Sequence, residues 1–193
     1  MSAPSRGREA APLTEELEVL RIVTERLDAA GIPYMLTGSM AGNYYAVPRM
    51  TRDIDLVVAL SPADADRVSA LFEPDFYVDR DAVRRAVAER GMVNLIHDEL
   101  VVKVDLVVQK DTEYRREEFR RRRRTTVEGM PLYVVAPEDL VISKLEWARD
   151  SRSEIQLADV RNLLESVELD RAYLARWLPR LGLDALYRDV AGD

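Results

Sequence analysis

The chain has 193 residues, 47% hydrophobic and 33% charged, with a formal net charge of −7. This length and balance fit one compact globular unit with an appendage, or two small units, and exclude an indiscriminate nucleic-acid binder, whose surface would be basic throughout. With no cysteine, disulfides and thiolate-held metals are excluded; with His97 the only histidine, any metal must rest on oxygen, which favours magnesium or manganese over zinc.

Taken in order, residues 1–12 are small, polar and proline-containing, without the apolar stretch of a signal peptide, and read as a disordered tail. No segment has the apolar length of a membrane span, so the expectation is a cytoplasmic protein without membrane contact. Thr14 can cap a helix running to Ala30, with Glu15 and Glu16 at its positive end and Gly31 as its stop. Leu17, Leu20, Val23 and Leu27 recur on one face of it. Tyr34 to Thr37 reads as a strand and Met40 to Tyr45 as a short helix, after which Pro48 breaks the chain before a strand opening at Asp53.

Ser61-Pro62 opens a helix to about Leu71. Phe76 to Val78 reads as a short strand, and Asp81 to Arg90 as a helix stopped by Gly91. Met92 to Ile96 and Leu100 to Val108 form an expected hairpin around His97-Asp98-Glu99. Glu113 to Arg124 reads as a charged helix, and Thr125 to Val127 with Leu132 to Val135 as a second hairpin over Glu128-Gly129. Beyond Pro137 the pattern is helical: Glu138 to Arg149, Glu154 to Ser166, Arg171 to Leu178 and a short last helix, with Trp147 and Trp177 expected in the core. The fold class is therefore α+β, a mixed sheet flanked by helices. Its expected division is a core over 13–136 and a helical C-terminal region over 137–193.

Two features of one stretch carry chemistry. Gly38-Ser39 follows an apolar strand and opens a helix, where free backbone N–H groups, a hydroxyl and a positive dipole end suit a phosphate. Ser39 could equally be a simple helix cap. Asp53 and Asp55 lead into Leu56-Val57-Val58; strand alternation puts them on one face, about 7 Å apart, within reach of shared divalent ions.

Gly-Ser, a short helix and Asp-x-Asp in an apolar strand resemble the nucleotidyltransferase superfamily that includes DNA polymerase beta. With Arg49-x-Thr51-x-Asp53-x-Asp55, the stretch is most similar to the AbiEii-type toxins of bacterial toxin–antitoxin pairs, which often carry Gly-Gly in place of Gly38-Ser39. The resemblance implies a third acid on a neighbouring strand, for which Asp105 in Val101-Val-Lys103-Val-Asp105-Leu-Val-Val108 is the candidate. Read from the residues alone, Asp105 could instead be an acid paired with Lys103, since a lone buried carboxylate is costly.

Helical spacing puts Lys144 on the apolar face of Pro137–Ala148, where a lysine either snorkels to solvent or points at an anion. The resemblance makes this segment a third motif and implies a triphosphate contact for Lys144. It likens Asp159 to the acid of a fourth motif, a position that a solvated helix residue would also explain. It further implies nucleotide contacts from Gly38, Ser39, Arg49, Thr51 and Asp159, and magnesium or manganese on Asp53, Asp55 and Asp105. The implied reaction moves a nucleoside monophosphate from a nucleoside triphosphate to an acceptor hydroxyl, with transfer RNA one candidate acceptor, and releases pyrophosphate. The alternatives are adenylylation of a protein or small molecule, and a non-catalytic binding partner. Arg115, Arg116 and Arg120 to Arg124 concentrate positive charge, either as a solvated helix face or as a contact for an RNA backbone. A cognate antitoxin is the other partner the resemblance implies.

Overall fold

The apolar runs of the sequence pair into one seven-stranded mixed sheet in the structure, a computed structural model that describes residues 14–151 and 153–192. The expected tail over 1–12 lies outside the described residues. Helix α1 (Glu15–Ala29) is capped by Thr14, whose hydroxyl accepts from Leu17 N–H, and inserts Val19, Leu20, Val23 and Leu27 into the core. Strand β1 (Tyr34–Thr37) runs directly into α2 (Gly38–Tyr45), and β2 (Asp53–Val58) follows a seven-residue loop. A 3₁₀ turn (Pro62–Asp64), closed by reciprocal bonds between Ser61 and Asp64, leads into α3 (Ala65–Phe72).

Strand β3 (Phe76–Tyr77), α4 (Arg80–Glu89), β4 (Met92–His97) and β5 (Lys103–Val108) complete one half of the sheet. Helix α5 (Glu113–Arg120) and the hairpin β6 (Arg123–Val127) and β7 (Met130–Val134) add the other edge. Four helices end the described chain: α6 (Pro137–Ser151), α7 (Glu154–Ser166), α8 (Arg171–Arg180) and α9 (Asp184–Ala191). The strand order is β3-β4-β5-β2-β1-β7-β6; β2 with β5 and β1 with β7 are parallel, and the other neighbours antiparallel. Among the described residues no helix is long and apolar enough to cross a membrane.

Register at the centre of the sheet positions everything that follows. Ile54, Leu56 and Val58 of β2 lie beside Val104, Leu106 and Val108 of β5, all buried on one face. The same register places Asp53 beside Lys103 and Asp55 beside Asp105 on the opposite face. Alternation in two neighbouring strands thus converts a pattern of single charges into one polar patch.

Local departures from the sequence reading have physical causes. The charged helix stops at Arg120 rather than Arg124, and Arg123 and Arg124 belong to β6. Arg121 is drawn away by the buried acids that open α6: its Nη2 donates to Glu138 (2.6 Å) and its Nε to Asp139 (3.0 Å), with the guanidinium 3.7 Å over the Tyr173 ring. Asp139 also accepts from the hydroxyls of Tyr173 (2.6 Å) and Tyr114 (3.3 Å), so one fully buried carboxylate ties α5, α6 and α8 together. Helix α4 ends on Arg90, which takes the left-handed conformation (φ 52°), one residue before the expected Gly91 stop. Strand β5 begins only at Lys103, because Val101 N–H and Val102 C=O close the hairpin on His97. Trp177 is in the core as expected, whereas Trp147 is 61% exposed, beside rather than on the buried stripe of α6.

Candidate active site

Helix α2 is the hub of the site, and it starts two residues earlier than its sequence suggests. Gly38 follows β1 without a linker and takes φ +63°, so its backbone presses against the carboxylate of Asp55. A Cβ on Gly38 would lie 2.0 Å from Asp55 Oδ2. The first turn is closed to any side chain there, which fixes why glycine stands at this position. The N-cap is Thr37, without a side-chain hydrogen bond, so Ser39 is not the cap; its hydroxyl instead accepts from Arg49 Nη2 at 2.6 Å. Further along, Gly42 faces the stem of Lys144, whose Cε would lie 3.7 Å from an added Cβ.

Against Gly38, at the start of α2, stand the carboxylates. Asp55 and Asp105 are register partners on adjacent parallel strands, and Asp53 precedes them on the same face. Burial first, then the negative charges of Asp105 and Asp53, push the Asp55 carboxyl above the ordinary carboxylate value. No side-chain hydrogen bond reaches Asp55 among the described residues. Asp105, buried, accepts from Asn94 Nδ2 (2.6 Å) and pairs with Lys103 Nζ (3.1 Å), which also lies 3.5 Å from Asp53. The pairing with Lys103 weighed from the sequence is therefore present, although β5 is an inner strand and not an edge.

Along the same helix, Arg49 at Ser39 and Lys144 at Gly42, stand two cations on one acid. Arg49 makes a two-pronged pair with Asp159, Nε to Oδ1 at 2.9 Å and Nη2 to Oδ2 at 3.0 Å. Lys144, 2% exposed, donates to the same Asp159 (2.7 Å) and to Gln156 (3.2 Å). Burial lowers the Lys144 pKa against the pull of Asp159. Burial would raise Asp159, but the bonds from Arg49 and Lys144 hold it below the ordinary carboxylate value. A carboxylate shared by two cations leaves positive charge unbalanced at the mouth of α2, next to the Asp55 group whose ionised form Lys144 favours.

The structure thus brings together Gly38, Ser39, Arg49, Asp53, Asp55, Asp105, Lys144 and Asp159. Thr51 is the exception: its hydroxyl makes only a 3.5 Å contact to Asp53 C=O, in the loop before β2. That loop is latched by residues the sequence reading passed over. Asn43 exchanges hydrogen bonds with the backbone of Arg49 (2.8 and 3.0 Å), and Asn162 of α7 does so with Val47 (2.9 and 3.3 Å). Lys103, two residues before Asp105, was legible from strand alternation; Asn94 and Gln156 carry no sequence signal that separates them from surface amides.

An oxygen-only set of three carboxylates on adjacent strands, strained by like charge, is the donor chemistry that suits a hard divalent cation. Among the described residues, though, no group of three or more His, Asp or Glu side chains is placed to hold a metal ion together. The ammonium of Lys103 lies between Asp53 and Asp105 in that part of the patch.

The sequence matches no protein-family profile and no curated protein. Its backbone does match solved structures. The antibiotic-resistance factor ANT(2'')-Ia superimposes with a TM-score of 0.60 at 14% identity, over 93% of this chain and 98% of that one. The fold is nucleotidyltransferase-like. The lincosamide antibiotic adenylyltransferase LnuA matches with a TM-score of 0.53 at 12% identity, over 82% of this chain and 100% of that one. A nucleotidyltransferase-like protein from Paracoccidioides brasiliensis gives 0.52 at 21% identity, over 80% and 77%.

Proposed function

We propose that the protein is a nucleotidyltransferase, transferring a nucleoside monophosphate from a nucleoside triphosphate to an acceptor hydroxyl. The observation that carries this reading is the placement of Asp55, beside Asp105, against Gly38 of α2, with Arg49 at Ser39 and Lys144 at Gly42 of the same helix. In the reaction the acceptor oxygen bonds to the α-phosphorus, the bond to the β-phosphate bridge breaks, and pyrophosphate leaves. The backbone of Gly38 and Ser39 faces the phosphates, and Arg49 and Lys144 meet the charge of the leaving pyrophosphate. Asp105 takes the acceptor proton. Magnesium or manganese would be held by Asp53, Asp55 and Asp105 once the Lys103 ammonium gives way between Asp53 and Asp105, and would supply charge neutralisation to the phosphates. The closing of α2 over the strand ends, with the latched loop of residues 46–52 on its flank, keeps these groups fixed before a ligand arrives.

Asp159 is a positioning residue in this scheme, holding Arg49 and Lys144 in place beside α2. The finer reading, a toxin of a toxin–antitoxin pair acting in the cytoplasm on transfer RNA and restrained by an antitoxin, is supported by the Arg49-x-Thr51-x-Asp53-x-Asp55 likeness. A second reading, adenylylation of a small molecule, is supported by the fate of the arginine run. Arg115 pairs with Glu118 and Glu146, Arg116 with Asp111, Arg120 with Glu117 and Arg121 with Glu138 and Asp139, so few of these charges remain for an RNA backbone.

Calorimetric titration tests the ligand. The wild-type protein with magnesium is expected to bind a nucleoside triphosphate, and Lys144→Ala to weaken triphosphate binding about tenfold more than monophosphate binding. Equal losses for both ligands would confine Lys144 to holding Asp159.

A further inference from the structure

The carboxyl ends of the parallel pair β2 and β5 lie at the opposite end of the sheet from Asp53 and Lys103, and they open onto a groove of about 600 Å³. Parallel strands leave a crevice outside their carboxyl ends where ligands commonly bind. Here it is lined by Arg90, Gln109, Lys110, Arg116, Arg120 and Arg122, in a chain whose net charge is −7. Its two acids are already engaged: Asp64 accepts from Ser61 N–H (2.8 Å) and Oγ (2.6 Å), and Asp111 pairs with Arg116 (2.5 Å).

Three of the cations are not neutralised. Among the described residues, Arg90, Lys110 and Arg122 have no carboxylate within ion-pair distance. Arg90 Nη1 donates to Gln109 C=O at 2.6 Å, and Arg122 Nη1 to Phe119 C=O at 2.8 Å. A neutral carbonyl fixes a guanidinium without cancelling its charge. Arg122 is further held over the Phe119 ring (4.4 Å) and near the Tyr133 ring (5.0 Å), and its buried Nε has no hydrogen-bond partner. Two anchored guanidinia and a free ammonium, from α4, the end of β5 and the turn before β6, therefore converge on one open groove. Elsewhere most arginines face a carboxylate, as Arg26 faces Asp75 and Arg84 faces Asp66.

We propose that this groove is a second binding site, separate from the carboxylate patch, for a ligand carrying several phosphate groups. The same chemistry is offered by the backbone of an RNA strand and by a small polyphosphate. The arrangement stands whether or not the carboxylate end transfers nucleotide.

The test uses the full chain and the double variant Arg90→Gln/Lys110→Gln, both exposed positions, with Arg21→Gln/Arg188→Gln as a control that removes equal charge elsewhere. Thermal melting checks that both variants fold. Fluorescein-labelled single-stranded RNA is titrated over a series of salt concentrations, and inorganic tripolyphosphate by calorimetry. If RNA fills the groove, the Arg90/Lys110 variant loses about tenfold or more in RNA affinity at low salt, and its salt slope falls by roughly one per lost phosphate contact. If a small polyphosphate fills it, RNA binding is unmoved while the variant loses one tripolyphosphate site per chain. Lys144→Ala retains the groove site in either case, which separates this result from any failure at the carboxylate end. If the groove variant and the control behave alike towards both probes, the groove is not an anion site.

Discussion

Asp55→Ala is expected to lower nucleotide transfer by about a thousandfold or more, the order that loss of one electrostatic stabiliser costs, without lowering the melting temperature. The stability half of this result follows from what surrounds the carboxylate. Asp55 receives no side-chain hydrogen bond among the described residues, and burial, Asp105 and Asp53 all disfavour its ionised form. Its pKa is raised in the fold, so the fold favours the protonated acid: the stability this contributes is present below the ordinary carboxylate value and is lost as pH rises through the raised one. Alanine removes that loss, and the variant should melt at or above the wild-type temperature near neutral pH. Asp105→Ala should behave differently. It removes the acceptor of Asn94 Nδ2 and the partner of Lys103, so it should lower both transfer and stability. Parallel melting curves and transfer assays decide the matter; a marked loss of stability in Asp55→Ala would mean that Asp55 is a structural acid.

Gly38→Ala is expected to abolish transfer and to destabilise the protein by about 2–5 kcal/mol, from the left-handed conformation and the overlap together. At φ +63° a side chain is strained, and here the added carbon would also meet Asp55 Oδ2 at 2.0 Å and Cγ at 2.6 Å. The carboxylate would have to swing out of register with Asp105. Gly129→Ala isolates the first effect, since Gly129 has φ +82° and nothing within 4 Å of an added Cβ. It should cost stability alone, about 1–2 kcal/mol, and leave transfer unchanged. If Gly38→Ala transfers nucleotide as well as Gly129→Ala does, the contact between α2 and Asp55 has no part in the chemistry.

Much of the site was legible because strand alternation is a short-range rule. Asp53, Asp55, Lys103 and Asp105 share a face in the sequence pattern, and the parallel register of β2 and β5 only had to bring the two faces level. Lys144 was legible for a similar reason, as a charge on the apolar stripe of a helix. What escaped depends on contacts distant in sequence. The bond between Ser39 and Arg49, the sharing of Asp159 by Arg49 and Lys144, and the latch of Asn162 on Val47 span 10 to 115 residues. The arginine run was misread for the same cause. Five consecutive arginines have good helix propensity, but the buried acids Glu138 and Asp139 outweigh it by drawing Arg121 out, and Arg123 and Arg124 continue as a strand. Trp147 shows the converse limit: aromatic content predicts burial only where a neighbouring element covers the position.

The most direct measurement uses one nucleoside triphosphate labelled in two positions, at the α-phosphate or at the γ-phosphate, incubated with magnesium, total cell RNA and the 193-residue chain. The α-label is expected to become attached to an acceptor in step with pyrophosphate release, the γ-label is not, and Asp55→Ala is expected to eliminate the transfer. Attachment of the γ-label would instead make the protein a phosphotransferase, and α-label transfer undiminished by Asp55→Ala would place the chemistry away from the carboxylate patch; either result would rule out nucleotide transfer at Asp55.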